Sequence, residues 1–315
     1  MHPAFSVIFF TTLSGAGYGL WCWAGFGAIA AMPARVLLVA LGLGALLVTA
    51  GLLSSLAHLG KPARAWRAFS QWRTSWLSRE GVMAVLCYLP AVALALALLP
   101  GMLDGSGNGR ASLGTAGIAA AALLVACALL TVACTAMIYA SLPPIPAWRH
   151  RLVVPAYLLF ALMTGGVLFA TLAGALGGLS NLAGLGILVG ALALYLLKRR
   201  YWRDIDRGEL PATRGDAVGL PERTLRVFER PHTEANFVTR EMGYVLARKH
   251  SKRLRAVASL LFALVPALCA LPVWVFVHLD AEMVLLPAAI SVLLGALVER
   301  WLFFAEARHV VMLYY

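Results

Sequence analysis

The sequence predicts an all-α polytopic membrane protein, a bundle of eight transmembrane helices with both termini cytoplasmic. Three observations predict this. The 315 residues are 61% hydrophobic and only 13% charged, whereas about a quarter of a soluble domain is charged. No Asp, Glu, Lys or Arg occurs in 1–34, 36–57, 81–103, 111–148, 152–197 or 256–279, and about 20 apolar residues suffice for a helix to cross the hydrocarbon core. The charges gather in a few segments between these runs. Lipid admits only helices and closed barrels, and runs this long and continuous are not barrel strands.

Span one is expected at about 6–30. Its SGAGYGLWCWAGFG stretch is rich in small residues that let helices approach closely; Ser14, Gly15, Gly17 and Gly19 could equally leave room for a flat ligand. The run is longer than a signal-peptide core and residues 1–5 lack Lys and Arg, so it is expected to stay in the membrane. Span two, about 36–57, is entered through Pro33 and Arg35. A charged loop follows, with His58, Lys61, Arg64, Arg67, Arg73, Arg79, Trp66, Trp72, Trp76 and Glu80. Spans three (about 81–100) and four (about 115–139) flank a Gly-rich turn. The Pro-rich SLPPIPAWRHR, 141–151, is a turn with Trp148 and Arg149 at the interface. Spans five and six are expected at about 153–174 and 182–197.

Residues 198–255 are the only large polar segment, with 15 Lys/Arg and 8 Asp/Glu. The first half reads as loop. In 233–250, Val238, Met242 and Val245 recur at helical spacing, predicting a short amphipathic helix that lies on the membrane or docks a partner. Spans seven and eight, about 257–277 and 284–304, complete a single membrane domain, 1–315, carrying a cytoplasmic basic insertion at 198–255.

Charge sets the orientation. The side with both termini, the His58 loop, the 141–151 turn and the long polar segment holds 22 loop Lys/Arg; the other holds Arg35 and Arg110. The positive-inside rule places the first side in the cytoplasm. The net charge of +12 is spread over loops rather than a folded basic domain, so it is not a nucleic-acid signature. Five scattered Cys, with no CxxC and no metal-ligand spacing, read as packing residues rather than cluster ligands. No span carries two His at matching depth, so haem is not expected. Mid-span charges and matched broken helices, the marks of a transporter, are not evident. A transporter or structural scaffold is nonetheless the alternative of a different class.

The candidate chemistry lies at the membrane edge. His58 sits where span two meets water, and imidazole exchanges protons near neutral pH; it can also simply bond a helix-end carbonyl. Glu80, opening span three, can relay protons or cap the helix N-terminus. Glu299 stands at the cytoplasmic end of span eight beside Arg300, with Glu306 and Arg308 beyond. It is either an inward-facing functional carboxylate or part of an interfacial ion pair. The three loop Trp suit the interfacial belt, and Arg64, Arg67 and Arg73 suit headgroups or an acidic protein surface.

HPAFSVIFFTTLSGAGYGL, HLGKPARAWRAFSQWRTSWLSRE and IYASLPPIPAW together resemble the membrane-anchor subunit of the dimethyl sulfoxide reductase family, over nearly the whole chain. The resemblance implies a protein of the bacterial cytoplasmic membrane that anchors a four-cluster iron–sulfur subunit and a molybdopterin catalytic subunit. It implies no bound metal and one exchangeable cofactor, a quinone (ubiquinone or menaquinone). The family's quinone-site His matches His58, within a pattern kept as Gly60, Pro62, Arg64 and Ala65. Its acidic residue opening span three matches Glu80, its span-four Tyr matches Tyr139, and its span-eight Glu matches Glu299. Partner docking is expected at Arg67, Arg73 and Arg79 and at Val238 and Met242. The cytoplasmic His58 loop and the long basic segment look more like the branch that anchors a cytoplasmic sulfite dehydrogenase delivering electrons to quinone. A dimethyl sulfoxide-type reductase anchor, oxidising quinol, is the alternative within the family.

Overall fold

The computed structural model describes residues 3–57, 59–103, 113–208, 210–229, 234, 236, 242, 246–276 and 280–314. Eight helical spans are long and apolar enough to cross a membrane. They are α1 (Phe5–Ile29), α2 (Ala34–Leu56), a third span made of α3 (Trp76–Leu86) and α4 (Tyr88–Leu103), α5 (Thr115–Ala140), α6 (Val153–Ala175) and α7 (Leu182–Arg207). After a short α8 (Arg214–Ala217), the seventh span runs from α9 (Leu246–Ser259) into α10 (Val265–Val275), and α11 (Ala281–Ala305) is the eighth. Among the described residues the fold is all-helical, as the composition predicts.

α1 is the centre of the bundle. It is the least apolar span and the most buried, as physics requires: Thr11, Thr12 and Ser14 are tolerable because they face protein rather than lipid. Its glycines set the approach of its neighbours. Gly17 lies against Gly44 and Val48 of α2, Gly25 against Ala121 and Val125 of α5, and Gly19 against Ala161 and Gly165 of α6. A methyl group at Gly19 would overlap the Ala161 carbonyl. Packing is therefore the role of Gly17 and Gly19, while Gly15 has open space around it. Two indole N–H groups are satisfied across helices: the buried Trp21 Nε1 donates to the Leu41 carbonyl at 3.0 Å, and Nε1 of the more exposed Trp23 donates to that of Leu162 at 2.8 Å.

Three predicted spans need correction. The third starts at Trp76, not near 81, and breaks at Cys87. The break has a local cause: Pro90 has no N–H for the Leu86 carbonyl, and its ring crowds it. The sixth does not end near 197 but continues to Arg207. Lys198, Tyr201 and Trp202 share the buried side of α7 with Leu194, so a polar string that reads as loop is helix. The seventh begins before 257, since α9 is already helical from Leu246, and it passes through one π-turn at Leu260–Leu264. Pro266, four residues after Phe262, removes the N–H that would close the regular helix there. Ser291 of α11 donates to the Leu261 carbonyl at 2.8 Å, and Gly295 lets α11 pack on the Phe262 backbone.

The polar connections are also built in. Trp148 is 6% exposed and donates to the Phe303 carbonyl, so it is a packing residue and not an interfacial one. Tyr201 donates to the Ala147 carbonyl, and the Val310 amide to that of Pro144. Thr213 and Asp216 form a capping box on α8; the Thr213 backbone and side-chain donors hold the Asp216 carboxyl below its ordinary range. Tyr314 bonds the Ala217 carbonyl, joining this segment to the end of the chain. The helix predicted at 233–250 lies largely outside the described residues.

Candidate functional site

Because α3 begins at Trp76, Glu80 falls in its second turn, beyond the first-turn reach of the helix dipole. Capping is not its role here. It is 5% exposed, and one carboxylate oxygen accepts a hydrogen bond from Thr135 Oγ1 of α5 at 2.5 Å. Thr135 is also part of the wall of a narrow polar cavity inside the bundle, with Thr12, Tyr18, Tyr157, Thr164 and Arg300. The cavity offers about 20 Å³ to water centres. That suffices for a water, which needs at least about 10–15 Å³, and is far too small for an aromatic ligand ring. Thr12 Oγ1 and Tyr18 Oη, both buried, have no hydrogen-bond partner among the described residues. Buried polar groups are normally partnered, so these two point to a hydrated interior.

Arg300 forms the far side of the cavity. Its guanidinium lies 3.6 Å from the centroid of the Tyr157 ring and 3.6 Å from Glu299 Oε2. The other oxygen of Glu299 meets Lys198 Nζ of α7 at 2.5 Å, and Lys198 in turn lies 4.0 Å from the Tyr201 ring centroid. Lys198, Glu299 and Arg300 are 1%, 1% and 3% exposed. Glu299 is thus ion-paired, and the pair is buried rather than interfacial. The triad carries two cations and one anion. Its excess positive charge is spread over aromatic faces, a favourable setting for a desolvated cation. Tyr139 does not line the cavity; its ring packs on Trp148, Tyr157, Phe303 and Phe304.

A further ionic layer lies toward the chain's polar end. Arg255 forks onto Glu306 (3.0 Å) and Asp206 (2.6 Å). Burial pushes the Glu306 carboxyl above its ordinary range despite Arg255. His150 approaches Asp204 at 3.5 Å; burial lowers its affinity for a proton, and the carboxylate offsets only part of that.

The loop residues fall elsewhere. Gly60 and Arg64 are exposed. A 3₁₀-helix, Pro62–Gln71, packs under the start of α3, where Ser78 donates to the Ala68 carbonyl. Arg67 and Arg73 lean on Trp66 and Trp72. Arg79 is more committed, bonding the Trp72 and Arg73 carbonyls and lying 4.2 Å from the Trp76 ring centroid. Met242 is half-buried in helical backbone. His58 and Val238 lie outside the described residues. Sequence reasoning missed Thr135, Tyr157 and Lys198. The helical spacing of Leu194, Lys198, Tyr201 and Trp202 is the signal that would have found the last.

Chemically, the interior offers carboxylates, hydroxyls and phenols able to accept, donate and pass protons. That donor set fits a quinone oxygen and its protons, while the enclosed space fits water rather than the ring. Among the described residues no group of His, Cys, Asp and Glu is arranged to hold a metal ion.

The profile of a family described as the DMSO reductase anchor subunit (DmsC) matches residues 1–305. A sulfite dehydrogenase subunit from Allochromatium vinosum is 33% identical over 336 aligned positions, covering 100% of this chain and 99% of the relative. With eight spans and a match along nearly its whole length, the chain belongs to the dimethyl sulfoxide reductase anchor-subunit family, membrane anchors of oxidoreductase complexes.

Proposed function

We propose that this chain anchors a molybdopterin catalytic subunit and a four-cluster iron–sulfur subunit to the bacterial cytoplasmic membrane, and that it passes electrons from sulfite oxidation to the quinone pool. The end-to-end likeness to a sulfite dehydrogenase subunit supports the sulfite assignment. The observation that carries the quinone role is the buried Glu80–Thr135 pair, whose Thr135 lines a small cavity with Thr12, Tyr18 and Tyr157. A quinone, when bound, takes up two electrons and two protons. The chain's part is to hold the head-group and supply protons where lipid excludes water. Glu80 sits deep enough to do this without bulk solvent, and Thr135 fixes its carboxylate. The polar cavity behind it offers hydroxyls along which water can return a proton. His58, which follows the end of α2 in the chain, is the second proton-exchanging group.

The test is quinone-coupled sulfite oxidation by the assembled complex carrying His58→Ala or Glu80→Gln. A group acting in general acid–base transfer contributes about 10²–10⁴-fold. Each variant should therefore retain its partner subunits and lose at least about a hundredfold in quinone-coupled rate, while reduction of an artificial dye by the catalytic subunit is unchanged. Normal quinone reduction in both variants would remove the two residues from the site.

A further inference from the structure

A second feature lies on a flank of the bundle that Glu80 does not share. α7 and the α9–α10 span leave a groove of about 990 Å³ between them. Both walls change character in the same direction. On α7 the lining runs from Leu188 through Tyr195 to Arg199, and on the other wall from Ala267 and Leu264 to Lys252. The floor is made of small residues, Ala191 and Ala263, both buried. The π-turn lies along this wall, and Leu264 is exposed toward the surroundings.

Length and charge together select an occupant. Leu188 to Arg199 rises about 16 Å at 1.5 Å per residue, which is half of the ~30 Å hydrocarbon core. The groove therefore spans one leaflet, apolar at the mid-plane end and cationic at the headgroup end. Arg199 and Lys252 are exposed there. Neither is ion-paired with a carboxylate among the described residues. Arg199 donates to Tyr195 Oη at 3.0 Å, which holds its guanidinium over the groove. The third cation nearby, Arg255, is already committed to Asp206 and Glu306. A neutral quinone would not use two uncompensated cations, whereas a phosphate does, and basic pockets between helices are suited to acidic headgroups.

We propose that this groove is a binding site for one anionic phospholipid, its phosphate held by Arg199 and Lys252 and an acyl chain lying along the alanine floor. The lipid joins α7 to the seventh span, with Trp202 between it and Lys198, whose Nζ lies 5.0 Å from that ring's centroid.

The experiment uses the full chain in its complex, in nanodiscs of phosphatidylcholine doped with phosphatidylglycerol, with retained lipid counted by native mass spectrometry. Wild type should retain one phosphatidylglycerol per chain in preference to phosphatidylcholine. Two basic residues at the surface correspond to about a thirtyfold difference in affinity, so Arg199→Gln with Lys252→Gln should lower retention by that factor. Ala256→Phe, exposed in the groove wall, narrows the site without altering charge and should also expel the lipid; it decides the matter if the charge variant fails to fold. Equal retention of both lipids by wild type would overturn the proposal, as would unchanged retention in Ala256→Phe. A quinone released from the groove in place of phospholipid would overturn it too.

Discussion

At the scale of single residues, the buried triad sets the largest energies. Lys198 and Glu299 are taken almost wholly out of water and meet at 2.5 Å. Removing one partner of such a pair leaves a buried charge uncompensated and costs about 3–5 kcal/mol, while replacing both with apolar groups is often neutral. Lys198→Met should therefore lower the stability of the detergent-solubilised protein by about that amount, and adding Glu299→Leu should recover much of it. A thermal-unfolding double-mutant cycle reads the coupling; strictly additive losses would show that the contact does not act as a pair. The two carboxylates of the site were legible in the sequence because each interrupts the edge of an apolar run. Lys198 was not, because it opens the string KRRYWRD, and its neighbours' charge hides its own burial. Thr135 and Tyr157 were invisible for another reason: a hydroxyl within an apolar span has a partner only once the spans are assembled.

At the scale of elements, small residues and prolines explain more than hydrophobicity does. Every span is apolar, so hydropathy finds the helices, and its lowest value marks the central α1; the small-residue density of α1 explains how its neighbours can close on it. The Gly19–Gly165 contact brings the α1 and α6 backbones together with no room for a methyl group on either. Gly19→Ala should cost about 3 kcal/mol, the upper end for overpacking, because the obstacle is the Ala161 carbonyl rather than a movable side chain. Gly42→Ala is the matched control. Nothing lies within 4 Å of its added carbon, and Ala is favoured over Gly in a helix by about 0.5–1 kcal/mol. Opposite shifts in melting temperature are expected; the same loss in both would show that the close approach is not the cause. The breaks at Cys87 and Leu260–Leu264 each precede a proline, at 90 and 266. Those prolines are plain in the sequence, but charge-free runs take no account of a missing N–H, so neither interruption was anticipated.

At the scale of the whole molecule, the question is which side of the membrane receives the partners. Antiparallel spans gather the start of α1, the end of α2, the 141–151 turn, the end of α7 and the chain's last residues at one end, as the Ser54–Ser6, Tyr201–Ala147 and Tyr314–Ala217 bonds require. That end carries the loop cations, the 3₁₀-helix with its exposed Trp66 and Trp72, and the Arg255 cluster. At the other end Arg35 bonds the Leu176 carbonyl. Positive loops resist translocation, so the cation-rich end is expected in the cytoplasm. Fluorescent and alkaline-phosphatase reporters fused after Tyr315 decide it: fluorescence with no phosphatase activity is the expected pair. The consequence reaches the chemistry, because Glu80 and the Arg300 triad both lie toward this end. On the proposed function, with that end cytoplasmic, electrons and protons would reach quinone from the same compartment, and no charge would cross the membrane during turnover. Phosphatase activity would reverse the docking face and place the catalytic subunit outside, the arrangement of a reductase drawing electrons from quinol.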